Sequence, residues 1–267
     1  ANMLDPKQRN QTHSLLKDMP MLTPERALEL LDHQYPDSKV RAYAVRCLST
    51  IADSDLVCYL LQLVQVLKYE PFHISALSCF LIERALKNPM QIAYPLFWHL
   101  QSESHLVEVQ ARFGIMLESL LLGITQEMQH ELMDQIFLVQ SFTAINTVVA
   151  AVAPSERSAK LRQELKSLRL PARFVLPLSS TMIVTGIRID ACKVMDSAAF
   201  PLWLVFENAD VGADPISVIF KFGDDLRQDI LTLKMFQLMD QLWKREGFDM
   251  QMSVYGCVST GDMMGMI

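Results

Sequence analysis

The chain has 267 residues, 51% of them hydrophobic and 20% charged, with a net charge of -6. That is too apolar for a disordered protein and long enough for one large domain or two ordinary ones. With Lys and Arg scattered rather than striped, it is unsuited to direct nucleic-acid binding. The nine glycines are lopsided: only Gly114 and Gly123 precede residue 186, and seven run from Gly186 to Gly265. That predicts helices first, then strands and turns. It argues against a nucleotide-binding βαβ unit at the start, which would need a Gly-rich first turn. The five cysteines (Cys47, Cys58, Cys79, Cys192, Cys257) are far apart and lack C-x-x-C or zinc spacing. They read as reduced, mostly buried thiols of a cytosolic protein. The opening Ala1-Asn-Met-Leu-Asp-Pro-Lys7 has no apolar signal-peptide core and no initiator Met, the pattern of a processed chain or a fragment.

In chain order, Thr23-Pro24-Glu25 is a helix start: a hydroxyl N-cap, proline at the first position and an acid in the first turn. Pro36-Asp37 stops that helix and opens the next, with Val40, Tyr43, Ala44, Val45 and Leu48 at three- and four-residue steps. Asp53-Ser54-Asp55 caps a third, whose apolar positions wrap most of its surface, so it lies between others. Further helices are predicted over about 73–87, broken at Asn88-Pro89, then about 90–102 and 106–122. Short helices with short connections suggest stacked helical hairpins, a solenoid whose default role is to hold other things in place.

A helix over about 124–150 needs a membrane check, because residues 135–155 carry no charge. Gln140, Ser141, Thr143, Asn146 and Thr147 interrupt it and no basic flank orients it, so a buried amphipathic helix is preferred over a transmembrane segment. A further helix runs from Pro154 to about Leu168. Short β-branched and aromatic runs follow: Thr181-Met-Ile-Val-Thr185, Gly186-Ile-Arg-Ile189, Cys192-Lys-Val194, Pro201-Leu-Trp-Leu-Val-Phe206 and Ile216-Ser-Val-Ile-Phe220. They read as an antiparallel meander. Residues 224–246 return to helix, and two short strands are expected around Gly256 and Gly261. Gly265-Met-Ile267 reads as the start of a strand, predicting an unpaired sheet edge and hence truncation.

The densest signal is Val218-Ile-Phe-Lys-Phe-Gly-Asp-Asp-Leu-Arg-Gln-Asp229. An apolar strand ends in Lys221, a glycine turns the chain, and Asp224 or Asp225 caps a helix, Asp225 with Gln228 fitting a capping box. Two readings stand. One is a strand–turn–helix corner with a solvated lysine. The other aims Lys221 at a nucleotide phosphate, as a point charge on a long stem, with Asp229 orienting neighbouring groups.

This segment resembles the strand and helix that carry the ATP-binding lysine in phosphoinositide 3-kinase catalytic subunits. Tyr59-Leu-Leu-Gln-Leu-Val-Gln-Val-Leu-Lys-Tyr-Glu70, Leu96-Phe-Trp-His-Leu100 with Ser102-Glu103, and Arg112-Phe-Gly114 resemble the family's helical domain. Cys192-Lys-Val-Met-Asp-Ser197 with Pro201-Leu-Trp203 is similar to its phosphate-loop hairpin. Tyr255-Gly-Cys257 with Ser259-Thr-Gly-Asp262 resembles the strands before its hinge. The match covers nearly the whole chain in family order, and class I fits best.

The resemblance implies α plus α+β architecture: a helical (PIK accessory) domain over 1–122, N-terminally incomplete, and a kinase N-lobe with an antiparallel sheet over 123–267, truncated before the hinge. It implies a lipid kinase that phosphorylates the 3-hydroxyl of membrane phosphoinositides with MgATP, a regulatory subunit and other parent domains as partners, and a cytoplasmic parent recruited to the plasma membrane. In that light Lys221 contacts the ATP phosphates, and Asp229 and Tyr255 line the inner pocket. Ile219 and Trp203 wall the adenine, while Met195, Ser197 and Pro201 form the loop above the phosphates. Trp203 and Met195 have a plain alternative as sheet core. Two departures stand out: the loop lacks basic residues near Ala199 and Phe200, which should weaken phosphate binding, and Phe222 is unusually bulky for its place. Neither an Asp-Arg-His-x-x-Asn string nor Asp-Phe-Gly occurs, so the groups that handle the hydroxyl and hold Mg²⁺ are expected elsewhere and this piece is expected to be inactive alone. The competing reading is a non-catalytic helical scaffold or short isoform that binds regulatory partners.

Overall fold

The apolar stripes of the first half are satisfied by stacking helix on helix. In the computed structural model, which describes residues 6–267, these are α1 (Pro6–Asp18), α2 (Pro24–Glu29), α3 (Ser38–Leu48), α4 (Asp53–Val66), α5 (Ala76–Lys87), α6 (Tyr94–Gln101) and α7 (Val107–Gly123). Most of the opening segment read for a signal peptide, residues 1–5, lies outside the described residues. α3, α5 and α7 pack in succession in one layer and α4 on α6 in the other, with α1 and α2 against α3. This is the hairpin stacking that the spacing predicts. α1 was not expected. Its turns are polar and bury only Leu16, so no stripe announces it.

Helix starts follow local chemistry where no stronger partner intervenes. Asp37 accepts the Lys39 and Val40 N–H groups at 2.9 and 3.1 Å, and Ser75 forms a capping box with Ser78. Thr23 sits at the N-cap with no side-chain capping bond, and Pro24 stands at the first helical position. The Asp53 cap is not formed. Ala52 is the N-cap, and the Asp53 carboxylate instead receives Arg84 Nε at 2.8 Å and Asn88 Nδ2 at 2.9 Å. The break at Asn88-Pro89 is a π-helical turn, Pro89–Ala93, that feeds directly into α6.

α8 (Gln126–Ala150) is long and apolar enough to cross a membrane by length and composition. Its buried residues, from Met128 and Leu132 through Gln135, Leu138, Phe142 and Ile145 to Val149, lie at three- and four-residue steps along one stripe. That stripe packs on the sheet. The Phe142 ring lies 5.8 Å from Phe220 and 6.3 Å from Phe206. α9 (Arg157–Ser167) follows and packs on α8.

The sheet comprises β1 (Phe174–Val175), β2 (Ile183–Ile187), β3 (Lys193–Val194), β4 (Leu202–Asn208), β5 (Ile216–Phe222), β6 (Val258–Gly261) and β7 (Met264–Met266), with α10 (Arg227–Arg245) between β5 and β6. Every pairing is antiparallel, in the order β1-β2-β4-β5-β7-β6, with β3 also on β4. The runs at 181–185 and 186–189 merge into β2, whose register shifts between Val184 and Gly186. The stretch around Gly256 is irregular rather than a strand.

Two further expectations are corrected. The sheet is not a plain meander, because β7 inserts between β5 and β6. The last strand is therefore no unpaired edge: it bonds on both sides, and Ile267 N–H donates to Ile219 O at 3.0 Å. Gly265 permits the insertion. A Cβ there would stand 2.2 Å from the Val258 carbonyl oxygen and 2.6 Å from Leu226 Cδ1, so this glycine marks a close approach, not a turn. The edge strand on this side is β6, covered by α6.

Strand alternation sorts the sheet's two faces. Leu202, Leu204, Phe206, Val218 and Phe220 are fully buried on the α8 side. Phe142→Ala should cost about 3–5 kcal/mol by leaving a cavity under the sheet. Phe137→Ala on the same helix, where the ring is 46% exposed, should change stability by no more than about 0.5 kcal/mol. Urea denaturation of the two variants measures both.

Candidate functional site

Ile219 and Lys221 are two residues apart on β5, so they share the sheet face turned away from α8. Trp203 lies directly opposite Ile219, and Lys193 directly opposite Trp203. The Lys193 ammonium stands 6.0 Å from the Trp203 ring centroid. The row Lys193–Trp203–Ile219, with Lys221 beside it, is a partly apolar floor edged by two cations. Trp203 and Ile219 are half-buried, as wall residues would be, rather than sealed in the core.

The turn after β5 sets what Lys221 meets. Gly223 has φ +86°, a left-handed conformation that costs glycine little. Its N–H and that of Asp224 both donate to Met263 O, at 2.7 and 2.9 Å. So folded, Asp224 Oδ2 lies 2.9 Å from Lys221 Nζ. The Asp224 hydrogen bond raises the lysine pKa above its ordinary value, against a smaller opposing effect of burial, with the charges of Asp224 and Asp229 assisting. Asp229, in the first turn of α10, thus shares the electrostatic field of Lys221. So does Cys257, which sequence reasoning did not single out. Burial pushes its thiol up to about 12, Asp229 adding and Lys221 opposing, so it stays neutral.

The expected Asp225–Gln228 capping box is absent. Leu226 is the N-cap of α10, and Asp225 is taken by Arg227, whose Nε and Nη2 reach it at 2.9 and 2.8 Å. The same carboxylate accepts the Arg227 backbone N–H at 3.0 Å, so it closes on Arg227 rather than on the N–H of Gln228. Arg227 also reaches back to Glu103 of the helical half, Nη1 to Oε1 at 3.5 Å.

Met195, Ser197 and Pro201 lie in the β3–β4 hairpin, closed by Met195 N–H to Pro201 O at 2.9 Å and Phe200 N–H to Ser197 O at 3.1 Å. Pro201 is buried and Ser197 exposed. The loop of the hairpin, residues 195–201, carries no basic residue, but the Arg157 guanidinium carbon sits 3.5 Å above the Phe200 ring. Positive charge is therefore brought from Lys193 of β3 and from Arg157 of α9, the latter concealed by linear spacing. Tyr255 is not gathered in: it is 57% exposed on the irregular stretch before β6. Among the described residues, no group of three or more His, Cys, Asp or Glu could hold a metal ion. The cations at Lys221, Lys193 and Arg157 and the apolar floor at Trp203 and Ile219 suit a ligand with a polyphosphate and a flat ring.

A helical solenoid leading into an antiparallel sheet whose central strand ends in a lysine corner defines a kinase N-lobe-like region on a helical scaffold. Residues 2–133 match the family described as phosphoinositide 3-kinase family, accessory domain (PIK domain), and residues 215–267 match phosphatidylinositol 3- and 4-kinase. The chain is 46% identical over 254 residues to phosphatidylinositol 3-kinase 1 of Dictyostelium discoideum, covering 95% of this chain and 16% of that protein. It is 42% identical over 271 residues to phosphatidylinositol 3-kinase 2 of the same organism, covering 100% of this chain and 14% of the relative. Phosphatidylinositol 3-kinase 3 is 37% identical over 263 residues, with 98% and 16% covered. The chain belongs to the phosphoinositide 3-kinase family, and it spans about a sixth of the length of these relatives. ATP-dependent kinase chemistry is what that family implies.

Asp224→Asn should lower the Lys221 pKa towards 10.5, its ordinary value. Because the folded value is raised, the pair's stabilisation is full below the unfolded pKa and lost as pH rises through the folded one. The variant's small deficit, at most about 1 kcal/mol for a partly exposed pair, should therefore vanish at strongly alkaline pH. Titration of the reductively ¹³C-methylated lysines by NMR checks the shift.

Proposed function

We propose that this chain is the helical scaffold and the lysine-bearing half of the ATP site of a phosphoinositide 3-kinase catalytic subunit, which transfers the ATP γ-phosphate to the 3-hydroxyl of membrane phosphoinositides. The observation that carries the reading is Lys221, at the end of β5 and on one sheet face with Ile219 and Trp203, within a segment matched by the kinase family. Lys221 contacts the phosphates as a compact charge. Trp203 and Ile219 wall the adenine, and Met195, Ser197 and Pro201 form the hairpin loop over the phosphates, with Arg157 and Lys193 supplying the charge that the loop lacks. Asp229 and Tyr255 line the inner side of the pocket; for Tyr255 this requires the 251–257 stretch to fold over the face. Mg²⁺ neutralises the transferring phosphate when bound, and its ligands are assigned outside these residues, since neither an Asp-Arg-His-x-x-Asn nor an Asp-Phe-Gly string occurs here.

The domain boundary is placed at 122/123. In support, α8 packs its stripe on the sheet through Phe142, although the accessory-domain match runs on to residue 133. A regulatory subunit binding the helical half, and a cytoplasmic parent recruited to the plasma membrane, complete the proposal.

In a longer kinase carrying this segment, Lys221→Ala should lower kcat/KM on phosphatidylinositol vesicles by about 10²–10³-fold or more, the scale set by loss of one preorganised electrostatic contact. The 267-residue chain by itself should show no turnover. Normal turnover in the longer variant would refute the role assigned to Lys221.

A further inference from the structure

The loop between α6 and α7, residues 102–106, belongs to the helical half, yet it reaches both sides of the Lys221 corner. On one side Glu103, only 2% exposed, accepts Gln65 Nε2 at 2.5 Å, pairs with the Lys68 ammonium, and holds Arg227 Nη1 at 3.5 Å. Burial pushes the Glu103 carboxyl up, but Lys68, Gln65 and Arg227 together carry it below the usual range, so it is charged. Arg227 passes the contact on, clasping Asp225 in a fork. On the other side His105 Nε2 stands 3.6 Å from Asp262 Oδ1, its ring oriented by Nδ1 against Ser102 O at 3.0 Å. Asp262 precedes Met263, whose carbonyl takes the N–H groups of Gly223 and Asp224. The two arms therefore end at Asp225 and Met263, the two supports of the turn that places Asp224 on Lys221.

We propose that Glu103 is a positioning residue for Lys221, acting through Arg227 and Asp225, with His105 acting through Asp262 and Met263, so that the helical scaffold sets the aim of the phosphate-facing lysine. The positional claim stands on this geometry. Its consequence for nucleotide binding rests on the function proposed for Lys221. A carboxylate serving the helical half alone would be satisfied by Lys68 and Gln65. Its third partner lies across the boundary and is itself fastened to the turn. Arg227 is 45% exposed at its side chain, so the arm can be cut there without opening the buried cluster.

The test is the rate at which Lys221 of the folded 267-residue chain is acylated by a water-soluble N-hydroxysuccinimide ester at fixed pH, read by peptide mass spectrometry. Lys87, 68% exposed at its side chain and remote in the fold, is the internal control. Arg227→Gln should loosen the turn, release Lys221 from Asp224 and raise its labelling about 2–5-fold, the range open to a partly exposed ion pair, with Lys87 unchanged. Glu103→Gln should do the same, and the double variant should add nothing, since both cut one arm. Unchanged Lys221 labelling in a folded Arg227→Gln chain overturns the proposal, whatever happens to its stability, because a merely structural cluster would move the denaturation midpoint and not the lysine. In a longer kinase, Arg227→Gln should raise the KM for ATP more than it lowers kcat. If Arg227→Gln alters labelling while Lys221→Ala leaves activity intact, the positioning holds and the nucleotide reading fails.

Discussion

The alternation along β5 is the constraint on which the rest of the site depends. Val218 and Phe220 point to the α8 face and are fully buried, which leaves Ile219 and Lys221 to the other. A slip of one residue would drive a lysine into the aromatic cluster and expose Phe220. Phe142 makes that slip costly, because its ring packs against both Phe220 and Phe206 and so ties β5 and β4 to one helix. Gly265 fixes the other flank: opposite Lys221 in register, it lets β7 lie close enough to β6 that no side chain fits between. A helix that carries no charge from residue 135 on and a glycine in a strand together decide which way a lysine points.

The helical half contributes more than a platform. Besides the apolar packing of α6 on β6, its contacts at this corner include charged ones, and these come from one loop. A buried carboxylate such as Glu103 costs free energy unless it is well partnered, and here the partners span both halves. With its folded pKa lowered, Glu103 contributes stability that is present above the ordinary carboxylate range and fades as pH falls through the folded value. Acid should therefore loosen the corner and the scaffold contact together, because one group serves both.

Much of this was legible in the sequence, and the failures share a cause. Helices with apolar stripes were readable from spacing, and the Lys221 corner from an apolar run, a glycine and two acids. α1 was not, having only Leu16 to bury. The cap expected at Asp53 was lost because Arg84, 31 residues away, binds that carboxylate more strongly than backbone N–H groups do, and Asp225 closes on the backbone and guanidinium of Arg227 instead of on the Gln228 N–H. The insertion of β7 depends on contacts with β5 across α10, which no local pattern records. The charge missing from the loop of the β3–β4 hairpin is supplied by Arg157, more than forty residues before Phe200, and only the fold brings it there. Tyr255 is the converse case: a motif singled it out, and the fold leaves it in the open.

The pairing of Lys221 with Asp224 explains how a lysine can be kept ready without being committed. A buried lysine with no counter-charge would lose its proton or destabilise the sheet. One locked to a buried carboxylate could not be taken from it cheaply, since breaking such a pair costs about 3–5 kcal/mol. A pair in which Asp224 remains 45% exposed avoids both extremes. It holds the amine charged, as the raised pKa records, yet it binds with no more than about 1 kcal/mol, which a multiply charged phosphate can exceed. The corner needs Gly223 to bring Asp224 within reach and a firm support behind Asp225 to keep it there. The strand, the turn and the arm from the helical half are therefore parts of a single device, and its setting is a lysine that is charged, aimed and weakly held.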